Sequence, residues 1–335
     1  MALDGWSFAH LPPERAAGGQ DDRGHGTGQQ ADGGRPGGWT SGRLSGQLIA
    51  RRYRLRGRLG SGGMGVVWRA DDEILRRPVA VKEVSAEDVA EDAFRLVLNE
   101  ARAAAQIDHP GVVRVYDIVA DERPWLVMEL LGGRTLAELM RSHGPVLTTT
   151  AATIGMRLAE ALQAIHRAGL VHGDVKPGNV QVCDGDRVVL TDFGIASVIG
   201  QPVAAPEMIV GSPAYMSPER VHGTEMGPPA DVFSLGATLY AAVEGRPPFD
   251  NSSPAASIAA VLHDPPRPAE RVGPLWPIIQ AMLVKEPRRR MELEQVWLAL
   301  QAVSARHRSG GETGERGSRR AVAGSRGRPA TGGDR

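Results

Sequence analysis

The sequence predicts an α+β fold in two lobes, a small antiparallel sheet with one main helix followed by a larger helical lobe. Three observations carry that expectation. Apolar residues alternate with a period of two early in the chain, a single helical period interrupts them between Ala86 and Ile107, and after Gly132 and Gly133 the period is almost entirely helical. No repeat at a fixed spacing accompanies them, which argues against a solenoid.

Taken in order, residues 1–46 are rich in Gly, Asp, Gln and Arg without a hydrophobic period, and are expected to be disordered. Tyr53 to Trp68 reads as a strand, a glycine turn and a second strand. Pro78 to Val84 reads as a third strand, with Val79 and Val81 alternating about Ala80. Ala86 to Ile107 places Phe94, Val97, Leu98 and Ala101 on one helical face, and Val112 to Val119 and Trp125 to Met128 return to strands. The first lobe therefore spans about 53–128 and the second 132–304. Within the second, Thr149 to Ala168 carries Ile154, Leu158, Leu162 and Ile165 at helical spacing, and Val232 to Val243 and Met291 to Val303 follow. The remainder, 305–335, reads as a disordered basic tail. From Arg306 onward it holds eight arginines against Glu312, Glu315 and Asp334, and reads as solvated chain or as a contact for an acidic partner.

A chain of 335 residues with 41% hydrophobic content has room for a real core, and 4% aromatics make that core aliphatic and alanine-rich. The formal net charge of zero gives no global reason to expect nucleic acid or a membrane surface as partner. Cys183 is the only cysteine, which removes intramolecular disulfides and cysteine-cluster metal sites and fits a reducing compartment. The N-terminus has no basic region followed by an apolar run, and no stretch approaches the roughly 18 apolar residues of a spanning helix. A soluble, cytoplasmic protein without membrane insertion is expected.

The chemistry is marked by lysine. Of 39 basic residues only Lys82, Lys176 and Lys285 are lysine, and the first two sit in VAVKEV and HGDVKPGN. A compact ammonium on a flexible stem is kept there while arginine is used almost everywhere else. Gly60, Gly62 and Gly65 stand in G-x-G-x-x-G spacing, which lets backbone amides approach phosphates where a Cβ would intervene. Because β-type residues flank the loop on both sides, it reads as a hairpin covering a nucleotide and not as the start of a dinucleotide-binding helix. Lys82 lies on the next strand and Glu100 on the following helix, so an ion pair between them would hold the ammonium against phosphates. A surface strand lysine is the competing reading for Lys82, and Glu83, Glu87 and Glu91 compete with Glu100, which is preferred for its phase with Val97.

His172, Asp174, Lys176 and Asn179 form H-x-D-x-K-x-x-N, followed by Asp192-Phe193-Gly194 and Ser217-Pro218-Glu219. With the glycine loop, the VAVK lysine and the helix glutamate in this order, residues 53–304 resemble the protein kinase family, and the bacterial eukaryotic-like (Hanks-type) serine/threonine kinases within it. The resemblance implies Asp174 as acceptor of the substrate hydroxyl proton, Lys176 on the γ-phosphate, Lys82 with Glu100 on the α- and β-phosphates, and Asn179 and Asp192 on Mg²⁺. It implies ATP contacts from Leu59, Gly60, Ser61, Gly62, Gly63, Met64, Gly65, Val66 and Val67 in the loop and its flanks, from Ala80, and from Gln181. Met128 would be the gatekeeper and 129–131 the hinge, with Glu129 and Leu131 reading adenine through their backbone, although VMELL is equally what a buried strand looks like. Asp231 would brace the catalytic loop or simply cap a helix. Arg290 would pair with Glu219, with Arg288 and Arg289 as competitors. Protein substrates with Ser/Thr acceptors come with the family, as does the capacity for autophosphorylation.

Two departures stand out. Gly173 replaces the arginine that the family usually places before the catalytic aspartate, and 195–211 offers only Ser197 as a hydroxyl. Activity is therefore expected not to depend on activation-segment phosphorylation. Gln181 stands where an aliphatic residue usually lies beneath adenine, and binding is expected to survive. The leading expectation is an active protein kinase. A pseudokinase scaffold is the rival, disfavoured by the presence of Lys82, Asp174, Asn179 and Asp192. A small-molecule kinase is a remoter one, disfavoured by the length between Asp192 and Glu219. Sensing is expected through a partner, a tail contact or expression level.

Overall fold

The computed structural model describes residues 45–62, 65–83, 101–120, 124–192, 213–224 and 226–305. Among the described residues nine strands fall in two sheets. The larger is built from β1 (Leu48–Ile49), β2 (Tyr53–Gly62), β3 (Gly65–Asp72), β4 (Arg77–Glu83), β5 (Val115–Ala120) and β6 (Pro124–Met128) in the order β1-β2-β3-β4-β6-β5, with every pair antiparallel. The smaller, β7 (Arg134–Thr135), β8 (Val180–Val182) and β9 (Val188–Leu190), belongs to the second lobe. The fold class expected from the sequence is the one observed: an antiparallel lobe followed by a helical one.

Alternation along β4 decides which side chains face the site. Val79 and Val81 enter a first-lobe core with Ile49, Tyr53, Leu55, Trp68 and Val127, while Ala80 joins the larger core on the other side of the sheet. Lys82 follows Ala80 in phase and is 8% exposed. Two details differ from expectation at the edges of the ordered region. Ser45 and Gly46 fall in the span read as disordered, yet they bond to β2: the Ser45 hydroxyl donates to the Arg56 carbonyl at 2.6 Å and the Gly46 amide to the Leu55 carbonyl at 2.8 Å. Ala305, read as the first tail residue, is still helical. The expected strand at Val112 starts only at Val115, because Val112 and Val113 instead bridge to Leu190 of β9. Only 101–104 of the expected helix Ala86–Ile107 lie among the described helical residues.

The helical lobe comprises α1 (Leu136–His143), α2 (Thr148–Arg167), α3 (Pro218–Val221), α4 (Pro228–Glu244), α5 (Pro254–His263), α6 (Trp276–Met282) and a last helix, α7 (293–305). The four residues read as one face of α2 are all buried. Helix α4 is buried from Ala230 to Val243 all round its circumference, which makes it the axis of the lobe. Two features were not anticipated. Thr135 and Glu138 close a capping box that starts α1. Gly133, at φ +81°, lets β7 approach β8 so closely that a Cβ would lie 2.1 Å from the Val182 carbonyl oxygen. No helix among the described residues is long and apolar enough to cross a membrane.

Candidate active site

The glycine loop is a β2–β3 hairpin, closed by pairing of Gly62 with Gly65. Gly63 and Met64 at its tip, and Glu100, lie outside the described residues. Gly60 and Ser61 are exposed and pair with Val67 and Val66, and no atom lies within 4 Å of where a Cβ on Gly60 would be. Leu59 falls in the register shift between Arg58 and Gly60 and is 53% exposed. Val67 faces Lys82 across the ladder, and Ala80 faces Met128. Strand pairing thus puts the glycine loop, Lys82 and Met128 side by side.

The Lys82 Nζ donates to Asp192 Oδ1 at 2.8 Å, joining the two lobes. Asp192 is held in the left-handed region at φ +55°, one residue beyond Thr191, which follows β9. Asp174 Oδ2 accepts from Lys176 Nζ at 2.7 Å and from Asn179 Nδ2 at 2.8 Å, and Asn179 Nδ2 also donates to the Asp174 carbonyl at 2.8 Å. Burial pushes the Asp174 carboxyl up, but Lys176, then Arg220, outweigh it and hold the group below its usual range. The Asp174 carboxylate is therefore charged at neutral pH.

That loop is fixed from behind by a buried acid. Asp231 is fully buried and caps nothing on its own helix, whose N-cap is Gly227; its Oδ2 accepts from the His172 amide at 2.9 Å and its Oδ1 from the Gly173 amide at 2.7 Å. Of the two sequence readings for Asp231, bracing the loop is the one observed. His166 Nε2 completes the set at 2.7 Å from Asp231 Oδ2. Burial keeps His172 below its usual value, hence neutral, against the opposing pull of Asp231 and Asp174. Its Nε2 meets the Thr191 carbonyl at 3.0 Å and its Nδ1 accepts the Asp174 amide at 3.2 Å, so one ring spaces Asp174 from the residue before Asp192.

Gly173 sits at φ +74°, where a side chain would be strained. The cation absent from this position arrives from another element: Arg220 of α3 donates to the Gly173 carbonyl and lies 3.9 Å from Asp174 Oδ1. Sequence reasoning missed Arg220, since nothing local to the loop points to it. Arg187 was missed too; its guanidinium grips both Glu129 carboxylate oxygens at 2.6 and 3.0 Å and holds that carboxyl below its usual range. The Glu129 amide donates to the Arg114 carbonyl at 2.9 Å, whereas its carbonyl and the Leu131 amide have no partner among the described residues. Gln181 donates from Nε2 to the Gly132 carbonyl at 3.1 Å. Among the three arginine candidates, Arg290 meets Glu219, at 2.7 and 3.1 Å, in a fully buried pair.

The donor set suits a hard divalent cation. Asn179 spends its amide nitrogen on Asp174 and Asp192 spends Oδ1 on Lys82, leaving one oxygen on each, Asn179 Oδ1 and Asp192 Oδ2. No cluster of three or more His, Cys, Asp or Glu side chains able to hold a metal by itself occurs among the described residues. Two protein oxygens completed by phosphate and water match magnesium's habit.

The family model for the protein kinase domain matches residues 53–299. A probable serine/threonine-protein kinase of Corynebacterium efficiens is 38% identical over 241 residues, 69% of this chain and 36% of that protein. Serine/threonine-protein kinase PknA of Mycobacterium tuberculosis is 36% identical over 254 residues, 72% of this chain and 58% of PknA. PknB of Mycolicibacterium smegmatis is 36% identical over 249 residues, 71% of this chain and 40% of PknB. The chain thus spans less than two thirds of the length of each of these relatives.

Proposed function

The chain belongs to the protein kinase family, and on that premise we propose that it transfers the γ-phosphoryl group of ATP to serine or threonine hydroxyls of proteins. One observation supports the reading: Lys82 pairs with Asp192 while Lys176 and Asn179 both bond to Asp174, which are the residue types that phosphoryl transfer needs as phosphate cation, metal ligands and base. Phosphoryl transfer spreads charge over equatorial oxygens, so fixed cations and a positioned hydroxyl contribute most of the rate.

Asp174 accepts the proton of the acceptor hydroxyl through the oxygen that Lys176 and Asn179 do not occupy, and Lys176 turns from Asp174 toward the γ-phosphate when nucleotide enters. Lys82 fixes the α- and β-phosphates, with Glu100 as its second partner. Asn179 and Asp192 would hold Mg²⁺, which would supply neutralisation of the charge that develops on the transferring group. Leu59, Gly60, Ser61, Gly62, Gly63, Met64, Gly65, Val66 and Val67 fold over the phosphates and ribose. Ala80, Met128 and Gln181 border the base, and the Glu129 carbonyl and Leu131 amide read its edge. The kinase domain is assigned to 53–304 with its hinge at 129–131, and the location is cytoplasmic. Role in bacterial signalling and independence from activation-segment phosphorylation belong to the same proposal, since Arg220 already places a guanidinium at the catalytic loop where Gly173 brings none.

The test is incubation with γ-labelled ATP, Mg²⁺ and a generic basic protein, followed by phosphoamino-acid analysis. Label on serine or threonine is expected, undiminished by phosphatase pretreatment or Ser197→Ala. Nucleotide binding without any label would favour a scaffold, and a tenfold loss on pretreatment would overturn independence from phosphorylation.

A further inference from the structure

Between α2 and α7 runs an open groove of about 690 Å³, on the helical lobe and apart from the catalytic residues. Three carboxylates border it, Glu160, Glu292 and Glu294, against the single arginine Arg167. Glu160 is committed: it accepts from Trp297 Nε1 at 3.1 Å and from Arg157 at 3.2 Å. Glu292 and Glu294 are exposed, and their carboxylates make no ion pair or hydrogen bond among the described residues. The Trp297 indole is fixed by its bond to Glu160 and forms part of the lining, half buried. An aromatic plane beside unpaired carboxylates matches a guanidinium, whose flat face stacks on the ring while its fork meets a carboxylate in two bonds.

The chain supplies such groups immediately after α7. Residues 306–335 hold eight arginines, no lysine and three acids, a surplus of five positive charges. Ala305 lies eight residues beyond Trp297, about 12 Å along the helix axis, which four or five extended residues can retrace. Arg316, Arg319 and Arg320 follow Ala305 by 11, 14 and 15 residues and reach the groove with chain to spare. We propose that the tail 306–335 docks in this groove of its own molecule, with arginines on Trp297, Glu292 and Glu294. The proposal is independent of the phosphotransfer reading.

Photo-crosslinking of the full chain tests it. With p-benzoylphenylalanine in place of Gln163, a residue lining the groove, irradiation and peptide mapping should give adducts within 306–335 on molecules of monomer mass. Their yield should be unchanged by tenfold dilution. It should fall at least fivefold in Glu292→Arg/Glu294→Arg, and likewise in about 1 M salt, where screening acts over ~3 Å. Circular dichroism of the double variant confirms that these exposed substitutions leave the fold intact. Adducts confined to residues before 306, crosslinked dimers whose yield falls on dilution, or a yield indifferent to the charge reversal would each overturn the proposal.

Discussion

Asp231→Asn is the most informative single perturbation of the catalytic loop. The carboxylate is fully buried and receives three hydrogen bonds, at 2.9 Å from the His172 amide, 2.7 Å from the Gly173 amide and 2.7 Å from His166. Asparagine keeps the shape but exchanges one acceptor oxygen for a donor, so at least one donor is left facing an NH₂ group. A bond to a charged acceptor contributes about 1.5–3 kcal/mol, and an unsatisfied buried amide costs about 1–3 kcal/mol. The two figures describe overlapping parts of one change, so a loss of about 2–4 kcal/mol falls on the segment that carries Asp174. If it is felt mainly where that base must be aligned, kcat drops roughly 30- to 1000-fold, since each 1.36 kcal/mol is tenfold. Nucleotide affinity, which the proposed function assigns to Lys82 and Asp192, should change less than about threefold. Steady-state transfer with ATP titration, beside circular dichroism to confirm folding, separates the two effects. A folded variant with kcat within threefold of wild type would refute the reasoning.

Other outcomes follow from the same contacts. Lys82→Arg should lower transfer more than a hundredfold, because a planar fork does not fit the 2.8 Å single contact to Asp192, whereas Lys285→Arg should retain activity within about threefold. Lys285 has a structural place: burial lowers its ammonium to about 8, and it donates to the Ala260 and Val261 carbonyls at the end of α5. Arg290→Leu leaves Glu219 buried without its cation, a cost of about 3–5 kcal/mol, and should lower the midpoint of thermal unfolding by roughly 10 °C. Asp72, gripped by Arg52 at 2.7 and 2.9 Å, has its carboxyl held down to about 2 from the usual 3.8. A depressed carboxyl contributes stability that is present above about pH 4 and is lost as pH falls toward 2. Urea unfolding should therefore show Asp72→Asn about 1–2 kcal/mol less stable at pH 7, with the gap closing between pH 4 and 2. A gap that persists at pH 2 would exclude the Arg52 pair as its source.

How much was legible depended on whether the signal was local. The alternation of Val79, Ala80 and Val81 predicted both β4 and the face on which Lys82 projects, because a strand's two faces follow directly from its period. The α2 face was equally plain. Short elements were not: β7, β8 and β9 have two or three residues each and exist through pairing, not propensity. Helix α1 was readable in principle, from Thr135 and Glu138 at capping-box spacing. In the site, motif residues announced themselves, but their supports did not. Arg220 reaches Gly173 from 47 positions away, and Arg187 reaches Glu129 from 58. Asp231 could be read as a cap or a brace until its two amide bonds were seen.

The account's central claim is that Asp174, charged and held by Lys176 and Asn179, acts on the acceptor hydroxyl and not on nucleotide binding. Asp174→Asn tests it most directly, with ATP affinity and γ-label transfer measured on the same preparation. The account predicts an affinity within about threefold of wild type and transfer reduced by at least a thousandfold, roughly 4 kcal/mol in the barrier. Transfer surviving within tenfold, with binding intact, would contradict it.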